Sequence, residues 1–356
     1  MSEKKPRSKT SKKTAGKRSA PPAQRAQQPA APAPQSECCS NEAEAGSLRS
    51  RFRILTAFAL GDALGSRFEQ QVEGPHPSLL ARGGQRLSLF DSPTGRTLDR
   101  ARPTDDTVLM LGFAKHLLPF QSAAAEPPPY SRNLYRLVAD PNERSRGWGG
   151  SLARAAEQRA PVISGGCGAL MRVAPLAFWA TSATPDTMWR IIATQVAATH
   201  LGVEHVVWSW IYVQVLADAM MYFTSDNRVN ASRFRHRLRC LKHEVLTHYL
   251  VEDGCNASLR DVLFRAPKGS VSNVSVMAHS VFDCIERLLE NDERLLSLND
   301  VATEAVLLGG DCDTRAALVC PFFAQLDGTF DGLEFLEELS TIESDMLAAA
   351  GARGPL

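Results

Sequence analysis

No apolar run in this chain approaches the roughly 20 residues that a bilayer-spanning helix needs, so no membrane association is expected. The N-terminus is charged and lacks an apolar h-region, so no secretory signal is expected either. The eight cysteines form no Cys-x-x-Cys pair and no compact framework. In a chain of 356 residues they read as reduced thiols of an intracellular protein. The Asn-x-Ser triplets at Asn230, Asn256 and Asn273 then lie off the glycosylation route. HExxH is absent. His200 and His205 are five apart, which misses the one-face spacing of a helical zinc pair. Clean period-two alternation is scarce and no internal repeat is found, which argues against a sheet protein or a solenoid.

The first 47 residues lack aromatic and β-branched aliphatic side chains altogether. They are rich in Lys, Arg, Pro, Ala, Ser and Gln. Such a segment cannot bury enough apolar surface to offset its ordering entropy, so residues 1–47 read as a disordered tail. Lys4, Lys5, Arg7, Lys9, Lys12, Lys13, Lys17 and Arg18 make a basic block within it. That block suits a nuclear-localisation signal or a chromatin or nucleic-acid tether, and equally a solubilising tail. A mitochondrial presequence fits less well, because Lys outnumbers Arg and apolar residues are missing. The formal net charge of +1 hides this asymmetry.

What is present from Leu48 onward is helical patterning in a chain that is 44% hydrophobic. Phe52, Leu55, Phe58 and Ala59 mark one face of a first helix, expected to end at a Gly61–Gly65 turn. Val108, Leu111, Ala114 and Leu118 mark a second. The stretches 188–223, 274–289 and 298–308 supply further core helices. The expectation is an all-α, compact single-domain globule over residues 48–350, helical-bundle-like, monomeric, and nuclear or cytoplasmic.

Two acidic clusters interrupt this pattern. Thr104-Asp105-Asp106-Thr107 stands at the start of one apolar helix. Gly309-Gly310-Asp311-Cys312-Asp313-Thr314 stands at the start of another. A single Thr or Asp suffices to cap a helix, and the rest of each cluster exceeds that need. Adjacent carboxylates repel unless a cation neutralises them. In an extended loop Asp311 and Asp313 point the same way. The matched clusters suggest one shared site whose hard oxygen ligands suit Mg²⁺, Mn²⁺ or Ca²⁺ and not Zn²⁺. Four carboxylates have room for two divalent ions about 3.5–4 Å apart.

Gly61-Asp62-Ala63-Leu64-Gly65 followed by Glu69, then Thr104 to Thr107, then Gly166-Cys167-Gly168-Ala169-Leu170-Met171-Arg172, then Gly310 to Thr314, resemble in order and spacing the four motifs of the ADP-ribosylglycohydrolase family. The similarity covers roughly residues 48–328. It implies a compact all-α fold with a binuclear Mg²⁺ or Mn²⁺ centre, and hydrolysis of the glycosidic bond between ADP-ribose and an acceptor. The acceptor would be a modified protein side chain, poly(ADP-ribose) or O-acetyl-ADP-ribose. By carry-over, Thr104, Asp105, Asp106, Asp311, Asp313 and Thr314 are metal ligands. Glu69, on a mobile loop, is the first candidate for acid–base catalysis and Asp311 the second. Ser164, Gly165, Gly166 and Gly168 border the diphosphate and ribose, unless the stretch is a plain turn. His200 faces the substrate, or else is a satisfied core histidine.

The sequence departs from the family pattern at three places. Cys167 stands where the family has Asn, removing an amide that would bond ribose or phosphate. Cys312 replaces a common Thr, and alternation turns it away from the metals. Arg315 stands where a small or apolar residue is usual, and would pair with the substrate phosphate or with a surface carboxylate. Two other functions fit the same residues. One is a non-catalytic ADP-ribose-binding protein of this fold; the other is a two-metal nucleotide phosphohydrolase.

Overall fold

The computed structural model describes residues 37–69, 104–120, 126–141, 147–180, 182–222, 230–249, 255–265, 268–290, 297–324 and 349. The chain divides into a unit Met1–Asn41, described only from residue 37, and a compact unit Glu42–Leu356. The basic block lies outside the described residues, as does most of the chain after residue 324.

The fold is all-α, as expected. In chain order come α1 (Glu37–Gly65), α2 (Asp105–Leu117), α3 (Ser131–Ala139), α4 (Gly150–Gln158) and β1 (Val162–Ile163). Two 3₁₀ segments follow, Cys167–Arg172 and Ala174–Leu176, and then α5 (Ala177–Ala180), α6 (Pro185–Val196) and β2 (His200–Leu201). The remainder is α7 (Val203–Tyr222), α8 (Ala231–Glu244), α9 (Cys255–Phe264), α10 (Val274–Glu290), α11 (Leu298–Leu307) and α12 (Cys312–Phe323). Several starts are set by side-chain caps. Thr184 caps α6 with Pro185 behind it, and Ser297 with Asp300 forms a capping box on α11.

Helix α7 runs through the middle. Val207 to Val213 are all buried, which fits a helix apolar on every side. Its Tyr212 hydroxyl donates to the Leu318 carbonyl (3.0 Å), and its Trp208 indole donates to Ser275 (2.9 Å). These bonds tie α7 to α12 and α10. Every residue of α12 is buried, so this helix is core and not periphery. The two short strands pair in parallel, Val162 with His200 and Ile163 with Leu201. That pairing brings the chain entering the glycine-rich stretch alongside His200.

The structure corrects one local expectation. Gly61–Gly65 is not a turn, because α1 remains helical through Gly65. Its glycines serve proximity instead. A Cβ on Gly61 would lie 2.3 Å from the Ala316 carbonyl oxygen, and one on Gly65 2.4 Å from the Asp313 Cα. Residues four apart share a helix face, so the two glycines form a notch that seats the backbone of α12. At its other end α1 begins at Glu37, ahead of Leu48.

The notch makes a signed prediction. In an open helix Gly→Ala gains about 1 kcal/mol. In Gly65→Ala the new methyl meets backbone that cannot swing aside, and overpacking costs about 1–3 kcal/mol. The expected result is a lower denaturation midpoint; a raised midpoint would show that the helices are not in backbone contact.

Candidate active site

Asp62 organises the site, and the sequence reading gave it no role. It is fully buried on α1 between the two notch glycines. Its Oδ1 accepts from the Thr104 hydroxyl (2.7 Å), and its Oδ2 from the amides of Thr104 (2.9 Å) and Thr107 (3.2 Å) and the Thr107 hydroxyl (2.6 Å). Four donors around one carboxylate fix the start of α2. Thr104 then caps that helix by accepting from the Asp106 amide (3.3 Å). The legible signal was a lone carboxylate in the mostly apolar final stretch of α1, residues 54–65, flanked by glycines.

With Thr104 and Thr107 anchored, Asp105 and Asp106 are held in the first turn of α2. The second cluster is placed by a different device. Gly309 and Gly310 both have positive φ, 71° and 64°, a conformation that favours glycine. Their turn ends α11 and drops the chain into α12. Asp311 occupies the N-cap of α12 but makes no side-chain capping bond, and Asp313 lies in the first turn. The pair is therefore at a helix start, not in an extended loop. The two side chains nevertheless line one cavity. Cys312 turns away as expected, its thiol 3.4 Å from the Gly65 carbonyl oxygen.

The cavity has a volume of about 270 Å³ and is lined by Thr104, Asp105, Asp106, Asp311, Asp313 and Thr314 together with Glu69, Gly166, Gly168 and His200. The structure thus gathers all six expected ligands, both expected catalytic groups and three of the five expected substrate contacts. Ser164 and Gly165 are outside the lining and act as supports. Ser164 bonds Ser151 and accepts from the Gly166 amide, while the Gly165 carbonyl accepts from Val274 (2.7 Å). Sequence reasoning missed Gly147, Gly149, Gly150 and Ser151, which also line the cavity. A glycine run just before a helix was their signal.

Burial and mutual repulsion raise the carboxylate pKa values. Asp105 is pushed up to about 8, first by desolvation and then by Asp62 and Asp311. Asp106 and Asp313 are raised well above the usual range, by desolvation and then by Asp105 and Asp311 respectively. Glu69, at the exposed rim, is raised by partial desolvation and by Asp311. Asp106 Oδ2 and Asp313 Oδ1 are buried without a hydrogen-bond partner. Among the described residues no three His, Cys, Asp or Glu side chains are already drawn into a metal cage. The donor set and the two orphaned oxygens nonetheless fit hard divalent cations.

A model of the ADP-ribosylglycohydrolase family matches residues 45–334. The chain belongs to that family. The family is generally hydrolytic, and membership supports an enzyme of the glycohydrolase kind. An uncharacterized protein of Archaeoglobus fulgidus is 27% identical over 314 residues, covering 83% of this chain and 96% of its own. A solved structure described as an ADP-ribosylglycohydrolase-related protein complex shares the fold at TM-score 0.59 and 18% identity, over 86% of this chain and 99% of its own.

Two departures from the family pattern now have positions. Cys167 is buried in the cavity wall, its thiol 3.6 Å from Asp311 Oδ2, and burial with the nearby carboxylates pushes its pKa up. It is therefore a neutral thiol there. Arg315 does not sit at the surface. It is buried and donates to Ser280 (2.6 Å) and to the carbonyls of Ala305 (3.2 Å) and Gly309 (2.7 Å), so it braces the turn before the acidic cluster. No helix among the described residues is long and apolar enough to cross a membrane.

The raised pKa values fix a pH dependence. A folded pKa of about 8 for Asp105 against an unfolded 3.8 means the metal-free fold binds extra protons between those values. Its stability is favoured below about pH 4 and declines as pH rises through 8. Thermal unfolding should show that decline, and millimolar Mg²⁺ should raise Tm more at pH 8 than at pH 5. A Mg²⁺ effect larger at pH 5 would contradict the assignment.

Proposed function

We propose that this cavity hydrolyses the glycosidic bond between ADP-ribose and an acceptor, with two Mg²⁺ or Mn²⁺ ions held by Thr104, Asp105, Asp106, Asp311, Asp313 and Thr314. The observation that carries the reading is the pair of partnerless buried oxygens on Asp106 and Asp313. A buried carboxylate without compensation is costly, and a cation is the compensation that such a donor set accepts. Bound there, the ions would neutralise the carboxylates and stabilise charge on ribose hydroxyls and water.

The rest of the wall suits the rest of ADP-ribose. Arg172 is fully buried, its pKa pushed down to about 10 by desolvation, and among the described residues no carboxylate bonds to it. Its guanidinium donates to the Gly168 carbonyl (2.7 Å), directly behind the cavity lining. An uncompensated buried cation there favours a diphosphate in front of it. Helix α4 begins beside the same space at Gly150; its N-cap Gly149 gives it no side-chain cap and turns its own amide to Asp105 (3.4 Å), while the amides of the first turn favour anions.

Glu69 supplies the proton chemistry. Its carboxyl, raised by partial desolvation and Asp311, holds a proton at higher pH than a free glutamate. It can give that proton to the departing acceptor, or take one from water as the oxocarbenium-like sugar is captured. Asp311 is the second candidate for this role. The partners are ADP-ribosylated proteins or small molecules that contain ADP-ribose.

Incubation with serine-linked, arginine-linked and polymeric ADP-ribose substrates, with Mg²⁺ or with EDTA, tests the reading. Release of intact ADP-ribose that EDTA abolishes supports it. Release of phosphate or AMP would make the protein a phosphohydrolase, and tight ADP-ribose binding without turnover would make it a binding protein. Asp105→Ala and Asp313→Ala should each abolish release in a folded protein. Glu69→Gln should lower single-turnover hydrolysis about 10²-fold with little change in ADP-ribose affinity; an unchanged rate removes Glu69 from the mechanism.

A further inference from the structure

His200 is 2% exposed and lines the cavity, yet its Nε2 has no partner. Its other nitrogen is bonded. Nδ1 lies 2.8 Å from the Thr199 hydroxyl, which lies 2.7 Å from Arg172 Nη2. Arg172 is itself held by the carbonyls of Gly168 (2.7 Å) and Gln195 (3.0 Å).

The direction of this chain follows from what each group is able to do. A guanidinium only donates, so the Thr199 oxygen accepts from Arg172. The buried hydroxyl has one hydrogen, and among the described residues His200 Nδ1 is the one acceptor within its reach, so the hydroxyl donates there. A neutral imidazole that accepts at Nδ1 carries its proton on Nε2. The ring is indeed neutral: burial, then Arg172, then His205 push its pKa down to about 3. His205 adds no competing donor toward Nδ1, because its own Nε2 is turned to the Ser164 carbonyl (2.6 Å).

We infer that Arg172 and Thr199 are positioning residues that lock His200, in the cavity wall, as a neutral Nε2–H donor, to bond a diphosphate oxygen of ADP-ribose. The inference rests on the ADP-ribose reading of the cavity. Its physical advantage is that an anion meets a donor already oriented and already dry. Two steps back stands a fixed positive charge that polarises the chain in the same direction.

The test separates the relay from the reading it rests on. In protein labelled with ¹⁵N-histidine, long-range ¹H–¹⁵N spectra distinguish the two neutral tautomers, and the His200 signals are those lost in His200→Gln. Wild type at pH 7 should show the proton on Nε2. A proton on Nδ1, or a doubly protonated ring, overturns the inference without reference to any variant. Thr199→Val should mix the tautomers and weaken ADP-ribose binding about tenfold in the presence of Mg²⁺, the scale of one oriented hydrogen bond. Thr199→Ser should restore both. A Thr199→Val protein that folds and keeps the wild-type tautomer and affinity also overturns it. Absence of ADP-ribose binding by wild type, with the tautomer as stated, overturns the hydrolase reading and leaves the relay supported.

Discussion

The near-contact of two helix backbones decides where every carboxylate of this site stands. Gly61 and Gly65 leave α1 without side chains on the face where α12 crosses it, down to separations that no Cβ tolerates. Between them Asp62 reaches the other way and gathers Thr104 and Thr107. One turn of α1 thus fixes the starts of α12 and α2 at once. Asp311 and Asp313 come from residues far down the chain from Asp105 and Asp106. They share a cavity because both segments are referred to the same short stretch of helix.

That arrangement holds opposing electrostatic demands in tension. Burying several carboxylates together raises their pKa values and destabilises the metal-free fold wherever they ionise. Among the described residues the chain directs its donors chiefly to one of them, while Asp105 receives a single amide from Gly149 (3.4 Å). Asp62 has four donors, and they partly offset its desolvation. Asp106 and Asp313 each keep an oxygen without a partner. The asymmetry separates a structural carboxylate, satisfied by the chain, from carboxylates that need something from outside. Nearby, the neutral His200 lines the wall and the positive Arg172 stands behind it. The proposed substrate, with its hydroxyls against cations that the carboxylates would hold and its diphosphate against buried donors, would match both parts of the wall.

Much of this was legible in the sequence, for physical reasons. Long apolar stretches such as 274–289 leave little choice but core helix, and α10 lies where expected. Runs such as Thr104 to Thr107 exceed what a cap needs, and the excess is the functional signal. What the sequence hid was tertiary. Glycines inside α1 read as a turn, because a close helix crossing and a chain reversal both call for a missing side chain. Asp62 read as part of a motif without a role, because its donors are contributed by a segment some forty residues on. Arg315 read as a surface or phosphate partner, because nothing local says that it folds back to the Gly309 carbonyl. The Gly147–Ser151 segment was passed over because its cavity is assembled only after α4 packs.

The most direct test of the account is a crystal of the protein soaked with Mn²⁺ and ADP-ribose, measured for anomalous scattering at the manganese edge. The account predicts two peaks about 3.5–4 Å apart. They should lie among Asp105, Asp106, Asp311 and Asp313, with the ribose beside them and the diphosphate on the His200 side. Peaks confined to the surface, or a diphosphate seated on the carboxylates with His200 unengaged, would contradict it.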